Sequence, residues 1–558
     1  MNRKDVSRNL EELSRLSELA GENPFKARAY ARAARRLEHE EEPLEALLRP
    51  GALESLPGIG KGTAALIRHM AETGSMDALD EMRASVPEGV RRMLDVRGLG
   101  PKKVRTLWTD LGVASPGELQ YACVENRLLQ LPGFGAKLQA RVLEAVRFLR
   151  QAEGRVLLPL ALEEQANLET ALGGLLPGCR AWVGEASLRR ETVAALGLLA
   201  SESEADAAAA LGLETLEGGW SGHTEGGLPM RLVRVPRSAL GSRAIWETSS
   251  KAFREALAER LRRAGLLWCE EGLSRGGAAL DTPTEDRFWE CCGLAAVPAE
   301  CRELPDALEV DPDELVQEDD LKGAFHNHTD WSDGAASLEA MAERARDLGW
   351  SYIGICDHSA SAFYANGLDE GRLLRQREAI AELSRALSPF SVLAGIESDI
   401  RSDGSLDYPS GVLETLDVVV ASVHSGLQLS PEKQTERLCA AVTNPSTSIL
   451  GHPSGRILLA RSESPYDWRA LLDAAASAGI AVELNANPHR LDVDWRRIPE
   501  VRAAGLPIAI NPDAHSLEGL EDLRFGIWAA RKGLARKADV INCLTAREAV
   551  ARLRRPSV

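Results

Sequence analysis

The sequence predicts three architectures in series: an all-α N-terminal region of helix-hairpin-helix units, an α/β middle region, and a C-terminal distorted (β/α)7 barrel. Three observations predict it. Gly-apolar-Gly hairpins recur three times before residue 140. Apolar runs and helical segments alternate seven times beyond residue 321. Between middle and end, DALEVDPDELVQEDDL at 306–321 holds eight acids and no base. At roughly 150 residues per domain, 558 residues make three or four domains. We expect units at 1–85 and 86–155, an α/β domain at 156–305, an acidic linker at 306–321 and the barrel at 322–558.

Composition removes several classes. Hydrophobic content of 44% and charged content of 27% suit a globular chain, not a disordered or collagenous one. No run approaches the ~20 apolar residues of a bilayer span, so no membrane partner is expected. The start, MNRKDVSRNLEEL, is charged and helical in pattern, unlike a signal peptide. Nine cysteines without a CxxC pair make no disulfide framework, which points to a bacterial cytoplasm. Adjacent Cys291 and Cys292 suit neither tetrahedral metal spacing nor a redox ring. Oligomeric state is not readable; a monomer is the default expectation.

The net charge of -17 hides a division. Residues 1–150 carry 24 Lys+Arg against 21 Asp+Glu, and the remainder carries the acid. The N-terminal region is therefore the part suited to a polyanion. Helical spacing runs over 6–20 and 24–38, with Pro24 at a helix start. LPGIGKGTAALI (56–67), VRGLGPKKVRTLW (96–108) and LPGFGAKLQARVL (131–143) follow. Glycines permit the tight turn, and the next helix then begins with unpaired amides that attract an anion. Gly58, Gly60 and Lys61, Gly98, Gly100, Lys102 and Lys103, and Gly133, Gly135 and Lys137 are candidate DNA-phosphate contacts. Such contacts position a protein without reading sequence.

These hairpins, together with FKARAYARAARRLE, resemble the X-family DNA polymerases of bacteria. The resemblance continues at SLRRETVAALGLL (187–199). It implies a palm strand pattern in which two aspartates hold catalytic Mg²⁺. Arg189, Arg190, Glu191, Thr192 and Val193 match, but Ala195 and Gly197 stand where the aspartates belong. The segment MRLVRVP (230–236), matching the strand of the third carboxylate, holds no acid. Residues 245–272 resemble the nucleotide-binding and thumb portion. Two-metal phosphoryl transfer needs such carboxylates, so we expect the palm to lack polymerase activity. Leu66 occupies the position matching the lyase lysine of eukaryotic relatives, which removes Schiff-base chemistry there.

The C-terminal runs are GAFHNH (323–328), YIGICDH (352–358), SVLAGIE (391–397), LDVVVASVH (416–424), SILGHP (448–453), IAVELNA (480–486) and PIAINPDAH (507–515). Helical segments such as 338–348, 371–387 and 467–479 separate them, the pattern of a parallel barrel. Active sites of such barrels gather at the C-terminal strand ends. Seven of the ten histidines lie between His326 and His515. His326, His328, Asp333, His358, Glu397, His424, His452, Asp513 and His515 sit in or just beyond these runs. Side chains at i and i+2 point the same way along a strand, so His326 with His328 and Asp513 with His515 can each grip one ion. Mixed imidazole and carboxylate donors suit Mn²⁺, Zn²⁺ or Fe²⁺. Cys356 is expected in the core. Arg456, Arg461, His489 and Arg490 are weaker candidates for a substrate phosphate.

The nine donors resemble the motif set of the PHP (polymerase and histidinol phosphatase) superfamily. That resemblance implies up to three metals: the first on His326, His328, Glu397 and Asp513; the second on Glu397, His424 and His452; the third on Asp333, His358 and His515. Catalysis would run through water activated by these ions. The implied activity is a 3′–5′ exonuclease, with abasic-site cleavage or 3′-phosphate removal in some members, acting on gapped, nicked or 3′-ended DNA in repair. Three alternatives stand beside it: an active gap-filling polymerase with a PHP nuclease, a small-molecule phosphatase of the histidinol-phosphate type, and a non-catalytic DNA scaffold.

Overall fold

The structure is a computed structural model that describes residues 3–40, 42–151, 154–173, 179–201, 204–216 and 219–554. The chain forms two compact units, 1–149 and 150–558.

The first unit is helical. Arg3–Ala20 packs antiparallel against Pro24–Glu38, burying Val6, Leu10 and Leu13 against Ala33, Ala34 and Leu37. Asn23 caps the second helix on Phe25 N–H, and Pro24 occupies the first turn where no amide partner is needed. Each hairpin then repeats one conformation. The first glycine is left-handed, with φ of +95° at Gly58, +99° at Gly98 and +82° at Gly133. The residue between the glycines (Ile59, Leu99, Phe134) is buried and anchors the turn. Gly60 and Gly100 cap Lys61–Thr73 and Pro101–Leu111, and Gly135 precedes Ala136–Gln151. Lys61 and Lys137 are exposed beside these amides, and Lys102 is exposed beside those after Gly100.

The second unit opens with helix Leu158–Leu172 and continues into a five-stranded sheet. At one edge Arg180–Val183 pairs antiparallel with Leu196–Ala200, which pairs in parallel with Pro229–Arg234. Helices Leu240–Glu247 and Lys251–Arg263 follow, then a three-stranded sheet over 266–279. The acidic segment 306–321 runs in short 3₁₀ turns: Leu315 and Val316 are buried while most of its acids face solvent. Val316 N–H donates to Ala535 O, so the segment lies along the barrel it precedes.

Seven parallel strands make the barrel: Gly323–Ala324, Tyr352–Ile355, Ser391–Asp399, Val418–Ser422, Ile449–Leu450, Ala481–Asn485 and Ile508–Asn511, in that spatial order. A parallel bridge between Asn327 and Ala514 brings the first run to the last. Except for Ser391–Asp399, which contains Glu397, the strands are shorter than the apolar runs, so most of the polar residues that end those runs fall in the loops just beyond the sheet. Buried Lys532, on helix Leu523–Lys532, fastens the middle to the barrel. Its Nζ donates to Leu188 O at 3.0 Å and meets Glu303 Oε1 at 3.3 Å. Burial lowers its pKa. Arg189 stacks on Trp528, Arg190 pairs with Glu303, and Glu191 pairs with Arg496. Among the described residues no helix is long and apolar enough to cross a membrane.

Candidate metal centre at the barrel mouth

The loop beyond the first strand is held on both sides. Cys356 N–H donates to Asn327 O, His328 N–H to Ala514 O and Asp513 N–H to His326 O. This pairing turns His326, His328 and Asp513 toward one point. Asp513 itself is left-handed, φ +52°, a strained backbone of the kind that collects at functional sites. Asp333 lies in a tight turn built on Thr329, where a Cβ on Gly334 would stand 2.7 Å from backbone atoms of Thr329. Asp357 braces that turn, accepting from Thr329 N–H and Oγ1, Ser332 Oγ and Gln376 Nε2.

All nine donors converge and are buried or nearly so. His328 Nε2 lies 3.0 Å from Asp513 Oδ1 and 3.2 Å from His326 Nε2. Glu397 is the centre: Oε1 is 2.9 Å from His452, 3.2 Å from His424 and 3.4 Å from His326, and Oε2 is 2.7 Å from His358. Asp333 meets His358 and His515 at 3.5 Å each. Three sets bring their donor atoms within 4.8 Å of one another: His328, Asp333, His358 and His515; His326, His328 and Asp513; His358, Glu397 and His424. His328 and His358 thus each serve two sets, a sharing absent from the grouping that the family resemblance implied.

The electrostatics fit cations. Burial opposes charge on His326, yet Glu483, Asp513 and Glu397 outweigh it and hold its pKa well above the usual imidazole value. Burial likewise opposes charge on His424, but Glu397 and Asp399 raise it to about 10. Glu397 is held well below the carboxylate range: burial is overcome by His424, His326 and His358. His328 is lowered, by burial and then by His515 and His358. Nδ1 of His328, Nδ1 of His452 and Nε2 of His515 are buried without a hydrogen bond. Buried polar atoms are otherwise almost always satisfied. Donors this close, several with idle nitrogens, match the coordination demand of divalent ions.

Sequence reasoning missed an outer layer. Glu483, in the strand that contributed no donor by sequence, lies 2.8 Å from His326 Nδ1 and accepts from His452 N–H and Asn511 Nδ2. Asp399 holds His424 Nδ1 at 2.5 Å, and Asn485 Nδ2 donates to Asp513 Oδ2. The available signal was periodicity: Glu483 and Asn485 are i and i+2 on a strand otherwise apolar. Cys356 is buried, its Sγ against Phe325 O. Arg456 spends its guanidinium on Asp494, Arg490 O and Leu491 O, and Arg461 donates to Gly455 O. Arg490 is buried with Nε 4.0 Å from Asp513 Oδ2, and His489 is buried beside it in sequence.

The middle sheet differs. Arg180–Val183, Leu196–Ala200 and Pro229–Arg234 contain no Asp or Glu. Gly197 is registered against Arg231, which pairs with Glu247 at 2.6 Å. A cation therefore neighbours the place where the resemblance puts a metal-holding carboxylate.

Comparison with known proteins agrees with this layout. The "Helix-hairpin-helix domain" family matches residues 1–76, the "SAM-like Helix-hairpin-helix tandem" matches 90–147, and the "PHP domain" matches 324–487. The DNA polymerase/3′-5′ exonuclease PolX of Bacillus subtilis is 32% identical over 577 residues, covering all of both chains. A probable phosphatase of Thermoanaerobacter sp. is 31% identical over 24% of this chain and 56% of its own. One of Caldanaerobacter subterraneus is 28% identical over 34% of this chain and 74% of its own.

Proposed function

The chain belongs to the family of the bacterial DNA polymerase/3′-5′ exonuclease PolX, and from that premise we propose a DNA-repair nuclease that has kept the exonuclease and lost the polymerase. The observation that carries the reading is a contrast within one chain. Eight donors gather in sets at the barrel mouth and His452 joins them through Glu397, whereas three adjoining strands of the middle sheet, Arg180–Val183, Leu196–Ala200 and Pro229–Arg234, offer no acid and set Arg231 beside Gly197.

His326, His328, Asp333, His358, Glu397, His424, His452, Asp513 and His515 would hold up to three ions, with Mn²⁺ favoured and Zn²⁺ or Fe²⁺ as alternatives. Bound there, the ions supply a water nucleophile at neutral pH and neutralise charge on a phosphate. Water adds to the last phosphorus, and the bond to the 3′ oxygen of the preceding nucleotide breaks. A nucleoside monophosphate leaves, and a 3′-hydroxyl remains. Glu483, Asp399 and Asn485 keep the ligands aimed. Arg490, with Nε 4.0 Å from Asp513 Oδ2, would contact the phosphate. The hairpins at 58–61, 98–103 and 133–137 would grip the sugar-phosphate strand of gapped, nicked or 3′-ended DNA in the cytoplasm.

A second reading, removal of a 3′-phosphate by the same site, draws on the probable phosphatases that match the barrel. A 5′-labelled primer–template with Mn²⁺ and dNTPs tests the main reading. Shortening from the 3′ end without extension is expected, and Asp513→Ala should slow it by at least ~10-fold through loss of a ligand. Extension by dNTPs overturns the polymerase half; absence of shortening overturns the nuclease half.

A further inference from the structure

The segment after His358 is a closed turn with an unusual surface. Leu368 N–H returns to His358 O at 2.8 Å, and Ser359 N–H donates to Glu397 O at 3.0 Å. The turn is therefore built directly onto two of the nine donors. Asp407 accepts from Ser359 Oγ and from Ser361 N–H, and Tyr408 OH donates to Leu368 O. Asn366 Nδ2 donates to Trp331 O and Ser332 O, tying the turn to the loop that carries Asp333. A Cβ on Gly367 would stand 1.9 Å from Ser359 O, so the two limbs of the turn touch.

On this tied-down frame Ala362, Ala365 and Leu368 are fully buried, while Phe363 is 76% exposed. Burial of a phenyl ring stabilises a fold, and the turn forgoes that gain. Packing gives no reason for an aromatic residue here. The ring has one aromatic neighbour: Tyr364 meets it edge-on at 5.8 Å and itself lies 6.4 Å from the His358 imidazole. A short file of rings leads from a proposed metal ligand to solvent.

We propose that Phe363, steadied by Tyr364, is the platform on which the 3′-terminal nucleobase stacks, setting the scissile phosphodiester over the metal centre. The inference rests on the nuclease reading above and adds a substrate determinant to it. Every base has a π face, so stacking of this kind is tolerant of sequence. It also separates a nucleic-acid end from a small phosphate ester, which has no base to place. An unpaired terminal nucleotide is the favoured end, because a paired one is held in the duplex by hydrogen bonds along its edge and must break them to swing onto the platform.

The test compares two 5′-labelled single-stranded oligonucleotides, identical except that one ends in an abasic nucleotide. The full-length protein with Mn²⁺ should remove the ordinary terminal nucleotide at least ~10-fold faster (kcat/KM) than the abasic one, the scale of one stacked base. Phe363→Ala should bring that ratio close to one, and Phe363→Trp should preserve it. Thermal denaturation of Phe363→Ala shows whether the fold is retained. An unchanged ratio in Phe363→Ala overturns the platform while leaving the nuclease intact. A fall of both rates with the ratio preserved marks a structural role and overturns it too. No shortening of either oligonucleotide by the wild-type protein removes the nuclease reading and the platform with it.

Discussion

Glu483→Gln is the most discriminating single change in the barrel. The side chain is fully buried, and both oxygens are used. Oε1 faces His326 Nδ1 at 2.8 Å and accepts from Asn511 at 2.9 Å; Oε2 accepts from His452 N–H at 2.9 Å. An amide has one acceptor end, so one of these sets must meet an N–H instead. If that is His326, its Nδ1 becomes an acceptor, the proton moves to Nε2, and the nitrogen aimed at the metal is lost. If it is His452 N–H, two donors collide beside another ligand. Losing a charge-assisted hydrogen bond costs about 1.5–3 kcal/mol. Loss of such an outer partner costs ~10–100-fold in metal affinity, or about 1.4–2.7 kcal/mol, so the two scales agree. Titration of metal-free protein with Mn²⁺ measures affinity directly, and exonuclease rate provides the second readout. Wild-type affinity in Glu483→Gln would refute the claim that this carboxylate orients the ligands.

Three further outcomes follow from the same geometry. Gly197→Asp should not restore synthesis on gapped DNA, because a Cβ there stands 3.0 Å from Val183 Cγ2 and Arg231 is the cross-strand neighbour; nucleotide incorporation by this variant would show the palm to be repairable. Replacing Lys61, Lys102 and Lys137 by Ala should weaken duplex binding for all sequences alike and reduce the log–log salt slope by ~0.9 for each phosphate no longer neutralised, as read by fluorescence anisotropy across a salt series. Asp522 has its pKa raised by burial to about 7. Its ionised form is therefore disfavoured in the folded state, and stability falls as pH rises from the unfolded value near 4 through 7. Asp522→Asn should raise the melting temperature relative to wild type at pH 8 and lose that advantage at pH 4; an advantage independent of pH would discount the titration.

The nine donors were legible because each lies in or just beyond an apolar run, where charge pattern and strand pattern change together. The outer layer was not, because Glu483 is embedded in a strand whose neighbours are apolar and Asp399 follows an already assigned ligand. Their roles depend on which strands become adjacent, a tertiary fact. The helices Arg3–Ala20 and Pro24–Glu38 followed the 3.6-residue period closely. Segment 306–321 carried a charge signal that hid its packing residues, Ala307, Leu315, Val316 and Leu321. Sharing of His328 and His358 between donor sets also lies beyond any motif, since it is decided by ring orientation.

The ammonium of Lys532 has a consequence for how this chain can be shortened or rearranged. Leu188, Arg189 and Glu303 are what it rests on. A barrel cut free at residue 322 would keep the cation and forfeit every one of those partners, while Trp528 and Arg496 would lose Arg189 and Glu191. The middle region thus has an occupation that needs no chemistry on its sheet: it is the floor on which the barrel stands. Any shortened chain must therefore spare residues that carry none of the nine donors.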